Sequence, residues 1–307
     1  RRFFFWRQAD IIVLMEQFTV YLALVLLGAC FGSFAGATVW RLRAKQLTED
    51  KKNKEPYDKA EYKRLEKLTN RSALKDRSSC LHCGYTLKWY DLLPIASWLS
   101  LKGKCRSCKR PIGKFELIIE LGMVAFFVAS YAFWPGGVTN GLELAHFVLW
   151  LVAGVAMAIL FAYDAKWCWL PVGAVVALAG AGLAVVGVSA AGTQDVAGTL
   201  LAAVGSVGVL GGLYALLFAV SKGKWVGFGD VKLGAALGLV LVDWQLALVA
   251  LFLANFIGCL IVIPLLASKK LARTSHVPFG PMLIGGTVLA WFAGWPILEA
   301  YLATLGI

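Results

Sequence analysis

Six stretches of the chain, residues 17–40, 144–163, 167–194, 196–221, 244–268 and 274–298, contain no Asp, Glu, Lys or Arg. Each matches or exceeds the roughly 20 apolar residues that an α-helix needs to cross a bilayer. Lipid offers backbone N–H and C=O groups no water to bond, so segments of this kind fold as helices that satisfy their own backbone. Two weaker stretches join them: residues 115–134, interrupted by Glu116 and Glu120, and residues 230–242, only 13 long. The expected fold is an all-α polytopic membrane protein of about eight transmembrane helices. Composition agrees, because 16% charged residues is well below the roughly 25% of soluble domains.

Charge is concentrated in one segment. Of the 30 Lys and Arg, 20 lie in residues 41–114 beside eight acidic residues, so this segment alone carries the net charge of +12. Threading eight spans places it on the same side as Lys166, Lys222, Lys224, Lys232, Lys269, Lys270 and Arg273, which the positive-inside rule makes cytoplasmic. Arg1, Arg2 and Arg7 oppose this orientation and are outnumbered. The chain then divides into a first transmembrane segment (1–42), a cytoplasmic loop domain between helices 1 and 2 (43–114) and a transmembrane domain (115–307). A basic loop is attracted to the anionic face of the lipid bilayer. It lacks the aromatic interleaving of a nucleic-acid groove, so no nucleic acid is expected as a partner. Within residues 51–75, charges alternate while Tyr62, Leu65 and Leu68 fall at helical spacing, which predicts a short amphipathic helix.

Cys80-x-x-Cys83 and Cys105-x-x-Cys108 are two knuckles separated by 21 residues in that loop. Four thiolates delivered by two tight turns suit one tetrahedral Zn2+ in a closed structural site, with a redox or cluster role as the alternative, and a reducing cytoplasm argues against disulfides. His82, inside the first knuckle, reads as a bystander. Cys30, Cys168 and Cys259 lie in or beside apolar spans, where a free Cys behaves as a small hydrophobe.

An ionisable side chain at membrane depth is costly unless it is paired or functional. That singles out Asp164, at the end of one span, and Asp230, in Gly227-Phe228-Gly229-Asp230-Val231-Lys232. The glycines allow backbone to approach a neighbour closely, and Asp230 begins a helix, where simple N-capping is the structural alternative. Thirteen helical residues rise only about 20 Å, so Asp230 is expected below the membrane surface, facing a wet cavity. Asp164 ends its span on the same side, and the two carboxylates can converge. A pair a few ångströms apart does not readily ionise twice: one carboxyl keeps a proton as acid while the other, as base, activates water. That is the machinery of aspartic peptide hydrolysis. Lys166 and Lys232 stand two residues beyond the aspartates and do not face them on a helix; they read as positive-inside or substrate-orienting groups. Glu120 and Glu143 are expected as pair partners or interfacial groups, and His146 as an interhelical hydrogen-bond donor.

These motifs, in this order, resemble the type IV prepilin peptidases, the GxGD class of membrane aspartic proteases. The matching residues are Gly32-Ser33-Phe34 with Arg41-Leu42, Arg77-Ser78 with the first knuckle, Trp89-Tyr90-Asp91 with Pro94 and Ser97-Trp98, the second knuckle, Asp164 with Leu170-Pro171, Gly227 through Leu233, and Pro278-Phe279-Gly280-Pro281. The chain departs from the pattern at Gly36, where Asn is usual, at Val172, where an acid is usual, and in the charged stretch 43–76. The resemblance implies that Asp164 and Asp230 are catalytic, with Gly227, Gly229, Lys232, Pro278, Gly280 and Pro281 supporting their motifs. It implies prepilin or pseudopilin substrates, cleaved after a leader Gly at the cytoplasmic boundary of the bacterial inner membrane. Many members also methylate the new N-terminus with S-adenosylmethionine, an activity associated with the cytoplasmic domain. The rival reading is a non-catalytic transporter or scaffold whose aspartates bind an ion or cap helices. Nothing in the sequence indicates an oligomeric state.

Cysteine-accessibility labelling at positions 224 and 270 tests the threading. Both are expected to react from the cytoplasmic face, and reaction from opposite faces would break the eight-span arrangement.

Overall fold

The computed structural model describes residues 2–68, 77–270 and 277–306, with side chains from Met15 onward except that of Lys67. Parts of two expectations, the amphipathic helix toward 75 and the span beginning at 274, lie outside the described residues. Among the described residues the regular elements are helices, and no strand is formed. They divide into two units, Arg1–Ala132 and Phe133–Ile307.

In the first unit, α1 (Arg2–Asn53) is a single helix of 52 residues. At 1.5 Å per residue it is much longer than a bilayer core is thick, so its basic C-terminal part continues past the apolar run. There the chain folds back as α2 (Lys59–Leu65), whose N-cap Asp58 accepts from the N–H groups of Ala60 and Glu61. The apolar face predicted for this helix is real: Leu65 is fully buried against Ala44 and Leu47 of α1. Arg43 pairs with Glu61 at 2.6 Å. A short α3 (Ala96–Ser100) lies between the cysteine knuckles, and α4 (Phe115–Ala132) packs along α1. The two backbones nearly touch at Gly32, where a Cβ would stand 2.6 Å from Glu120 Cα. Small residues at a membrane helix contact allow this approach.

The second unit contains α5 (Gly141–Trp167), α6 (Val172–Ala191), α7 (Val196–Val207), α8 (Leu213–Ser221), α9 (Phe228–Leu241), α10 (Trp244–Ala267) and α11 (Gly280–Thr304). A π-helical turn, Gly208–Gly212, joins α7 to α8 within one apolar span. Polar residues at the helix starts are explained by capping: Asn140, Asp195 and Asp243 each accept from backbone N–H groups one turn on. Among the described residues, seven helical spans, Val196–Ser221 counting as one, are long and apolar enough to cross a membrane. The 14-residue α9 is the short eighth foreseen from the sequence. The expected polar role of His146 gives way to an aromatic one, since its ring packs edge-on against Trp134 and Trp291, while Trp150 stacks on Trp291 at 4.4 Å. Glu143 accepts from the Trp134 indole at 3.1 Å.

Helix α6 packs against both α5 and α9, and α9 also rests on the π turn. At Gly234 a Cβ would lie 2.5 Å from the Leu210 carbonyl oxygen, whereas Gly180 faces open space. Gly234→Ala is therefore expected to lower the thermal midpoint by several degrees. Gly180→Ala is expected to leave it unchanged or raise it, since Ala is favoured over Gly in a helix by up to about 1 kcal/mol. Thermal unfolding in detergent by circular dichroism reads both.

Candidate active site

Asp164 sits in the last turn of α5 and is 4% exposed. Its Oδ2 accepts from the Gly280 N–H at 3.0 Å. That amide opens α11, and the first amides of a helix lack intrahelical acceptors and carry the positive end of its dipole. Glycine is required there for a steric reason: a Cβ on residue 280 would lie 2.8 Å from the same Oδ2. Pro281 follows at the first helical positions, where a missing N–H costs nothing. The turn Pro278-Phe279-Gly280-Pro281 thus exists to bring a bare amide onto a buried carboxylate.

Asp230 occupies the first turn of α9, three residues after its N-cap Gly227. Its Oδ2 accepts from the Gly227 N–H at 3.3 Å, and its own N–H donates to the Gly227 carbonyl at 3.1 Å. Asp230 is therefore not the N-cap weighed from the sequence: Gly227 is, and the Asp230 side chain reaches back to its N–H. The helices that carry the two aspartates, α5 and α9, both pack against α11. The turn that follows α5 meets the first turn of α9 at Gly229, where a Cβ would come within 3.2 Å of Leu170. Lys232 and Lys166 lie over the rings of Phe228 and Trp167, at 4.7 and 5.1 Å from the ring centroids. Tyr214 packs against Phe279, next to the Gly280 amide.

In the first unit the two cysteine knuckles share one backbone pattern. Cys80 and Cys105 each donate to the carbonyl five residues on, of Tyr85 and Arg110, and accept from the N–H four residues on, of Gly84 and Lys109. Both Gly84 (φ 74) and Lys109 (φ 59) adopt the left-handed conformation that tightens the turn. The four Sγ atoms of Cys80, Cys83, Cys105 and Cys108 lie within 4.8 Å of one another, and two of the pairs are at 3.9 and 4.0 Å. A tetrahedron with metal–sulfur bonds of about 2.3 Å has edges of about 3.8 Å, so the four thiols are placed to hold one metal ion. Burial pushes the Cys80 thiol up to about 12, while the backbone N–H of Tyr85 draws Cys83 down to about 7.

Beside the knuckles lies a cavity of about 240 Å3, whose wall includes Trp40, Arg41, Arg77, Asp91, Glu116 and Glu120. Asp91 is buried, which disfavours its charge, but the Arg106 guanidinium at 2.7 Å and the Lys88 N–H outweigh this and hold its carboxyl below the usual range. Glu120 accepts from the Ile95 N–H at 2.7 Å, fixing a β-branched residue at φ 60, a costly conformation. Glu116 Oε1 accepts from the Trp40 indole at 3.0 Å. Its Oε2 is buried with no hydrogen-bond partner among the described residues. Reading the sequence for isolated acids passed over Glu116; the available signal was two carboxylates four residues apart in an apolar run, hence on one helix face.

Residues 26–134 match the Bacterial Peptidase A24 N-terminal domain. A prepilin leader peptidase/N-methyltransferase of Burkholderia pseudomallei (strain 1026b) is 32% identical over 227 residues, covering 72% of this chain and 68% of that protein. The chain belongs to the prepilin leader peptidase/N-methyltransferase family. The similarity extends to nearly full length in the Pseudomonas aeruginosa enzyme of the same name, 28% identical over 93% of this chain and 94% of that one. A type 4 prepilin-like proteins leader peptide-processing enzyme of Escherichia coli O78:H11 is 31% identical over 84% of this chain and 89% of its own. No solved structure matches the chain.

Metal analysis of the purified protein is expected to find one tightly bound ion per chain, absent from the Cys80→Ser/Cys108→Ser double variant. Undiminished metal in that variant would remove the site from these cysteines.

Proposed function

We propose that the chain is a multi-pass enzyme of the bacterial inner membrane that removes the leader from prepilins or pseudopilins, with Asp164 and Asp230 as its catalytic pair. What supports the reading is that the two carboxylates end or begin helices of one unit that both pack against α11, and that each accepts a glycine N–H. The substrate class suits the fold: the leader is polar, the following helix lies in the bilayer, and the scissile bond falls at the boundary between them. In the proposed reaction the ionised carboxyl takes a proton from a water held between the pair. The water oxygen adds to the scissile carbonyl, whose oxygen receives the proton of the other carboxyl. Collapse then returns a proton to the departing amine. The Gly280 and Gly227 amides hold the pair in register, so little reorganisation accompanies the charge movement.

The cysteine cluster is assigned to one structural zinc, because four thiolates close the coordination sphere and leave no open position for chemistry. The same unit is assigned the family's second activity, methylation of the new N-terminus, with S-adenosylmethionine as donor. When bound, that donor supplies a methyl group activated on a sulfonium. The cavity chemistry fits it: Arg41 and Arg77 match its carboxylate, and Trp98 lines the wall with an aromatic ring suited to a cation or a base.

Incubating the enzyme with a prepilin and reading the product by mass spectrometry tests the catalytic assignment. Asp164→Asn and Asp230→Asn are each expected to abolish cleavage while leaving insertion and metal content intact. The double variant should be scarcely worse, because residues acting as a unit are strongly non-additive. Gly280→Ala should slow cleavage on the order of 10²-fold by displacing Asp164. Near wild-type cleavage by either Asn variant, verified free of deamidation, would end the assignment.

A further inference from the structure

We propose that Glu116 receives the α-ammonium group of the newly exposed N-terminus and takes its proton before methyl transfer, a proposal that rests on the methyl-transfer reading above. Three carboxylates line the cavity of the first unit. Two are engaged: Asp91 with Arg106 and the Lys88 N–H, and Glu120 with the Ile95 N–H. The third, Glu116, is held by the Trp40 indole through Oε1, while Oε2 is buried without a partner among the described residues. An unpaired carboxylate oxygen excluded from water is strongly disfavoured. It is satisfied by a ligand that brings both N–H donors and positive charge. An ammonium group has both, whereas a sulfonium has no hydrogen to donate and a carboxylate would be repelled.

The position of Glu116 suits a membrane-held substrate. It lies in the first turn of α4, where the apolar run begins, and Ser33 and Ala37 from the apolar run of α1 line the same cavity. The cavity therefore reaches the level at which the end of a bilayer-embedded helix presents its amine. One N–H bond of the ammonium breaks and the proton passes to Oε2, leaving a neutral amine with a lone pair. That lone pair forms the N–CH3 bond as the C–S bond of the sulfonium donor breaks, its electrons remaining on sulfur. The product is a methylated ammonium and a neutral thioether, and Glu116 releases its proton to water.

The test uses the full chain in lipid nanodiscs and a fluorescent peptide with the mature N-terminal sequence, carrying either a free or an acetylated amine. Binding is measured without methyl donor. Wild type should prefer the free amine by about 10-fold, the value of one charge-assisted hydrogen bond. Glu116→Gln keeps an acceptor for Trp40 but puts an N–H donor where Oε2 stood, and it should lose that preference. With donor present, its methylation should fall about 10²-fold, recovering in part at high pH where the amine deprotonates unaided, with cleavage and metal content at wild-type levels. Equal binding of the two peptides by wild type would overturn the proposal whatever the variant does. So would wild-type methylation by Glu116→Gln, or a variant whose only change is a raised KM for the donor, which would place the donor's own amine at Oε2. A wild-type enzyme that cleaves but never adds a methyl group would instead overturn the methyl-transfer reading beneath it.

Discussion

The hydrogen bond from the Gly280 amide to Asp164 is the contact on which the second unit turns. A carboxylate buried among apolar helices has no water to solvate it, and at membrane depth the cost is several kcal/mol unless the protein supplies donors. Side-chain donors are scarce in such a bundle, so the donor is the free first amide of a helix. That solution has consequences outward. Residue 280 must lack a side chain, α11 must start abruptly behind a Pro-Phe-Gly-Pro turn, and α5 must end one turn beyond Asp164, as it does at the left-handed Cys168. Asp230 is held in a related way by the Gly227 amide at the start of α9.

The two units hold their charged groups by different means. In the second, backbone amides at helix ends serve two aspartates inside a helical bundle. In the first, tertiary pairing does the work: Asp91 with Arg106, Arg43 with Glu61, Glu116 with Trp40. The cysteine knuckles add a framework that a loop of this size needs, since α2 and α3 are too short to be stable alone.

Much of this was legible in the sequence because lipid imposes strict patterns. Long uncharged runs give helices, and the positions of Asp164 and Asp230 stand out against them. The cysteine spacing forecast the cluster because CxxC turns are local. The shortness of α9 was visible, and so was the apolar face of α2. What escaped depends on long-range contacts. That Gly280 donates to a carboxylate 116 residues earlier cannot be read from spacing; only its motif drew attention. Glu116 was hidden because the Trp40 contact that distinguishes it spans 76 residues. His146 looked like a polar donor in lipid, yet in the fold its ring serves an aromatic cluster with Trp134 and Trp291. Phe115–Ala132 was grouped by sequence with the segments that follow, and it packs along α1 through Gly28 and Gly32.

The central claim is that Asp164 and Asp230 belong to one site at which the prepilin backbone is cut. A prepilin carrying a photoactivatable diazirine next to the scissile bond, bound to the Asp164→Asn enzyme and irradiated, reports this directly. The account predicts adducts in two peptides, one containing residue 164 and one containing residue 230. Adducts confined to one of these segments, or found only elsewhere in the chain, would contradict it.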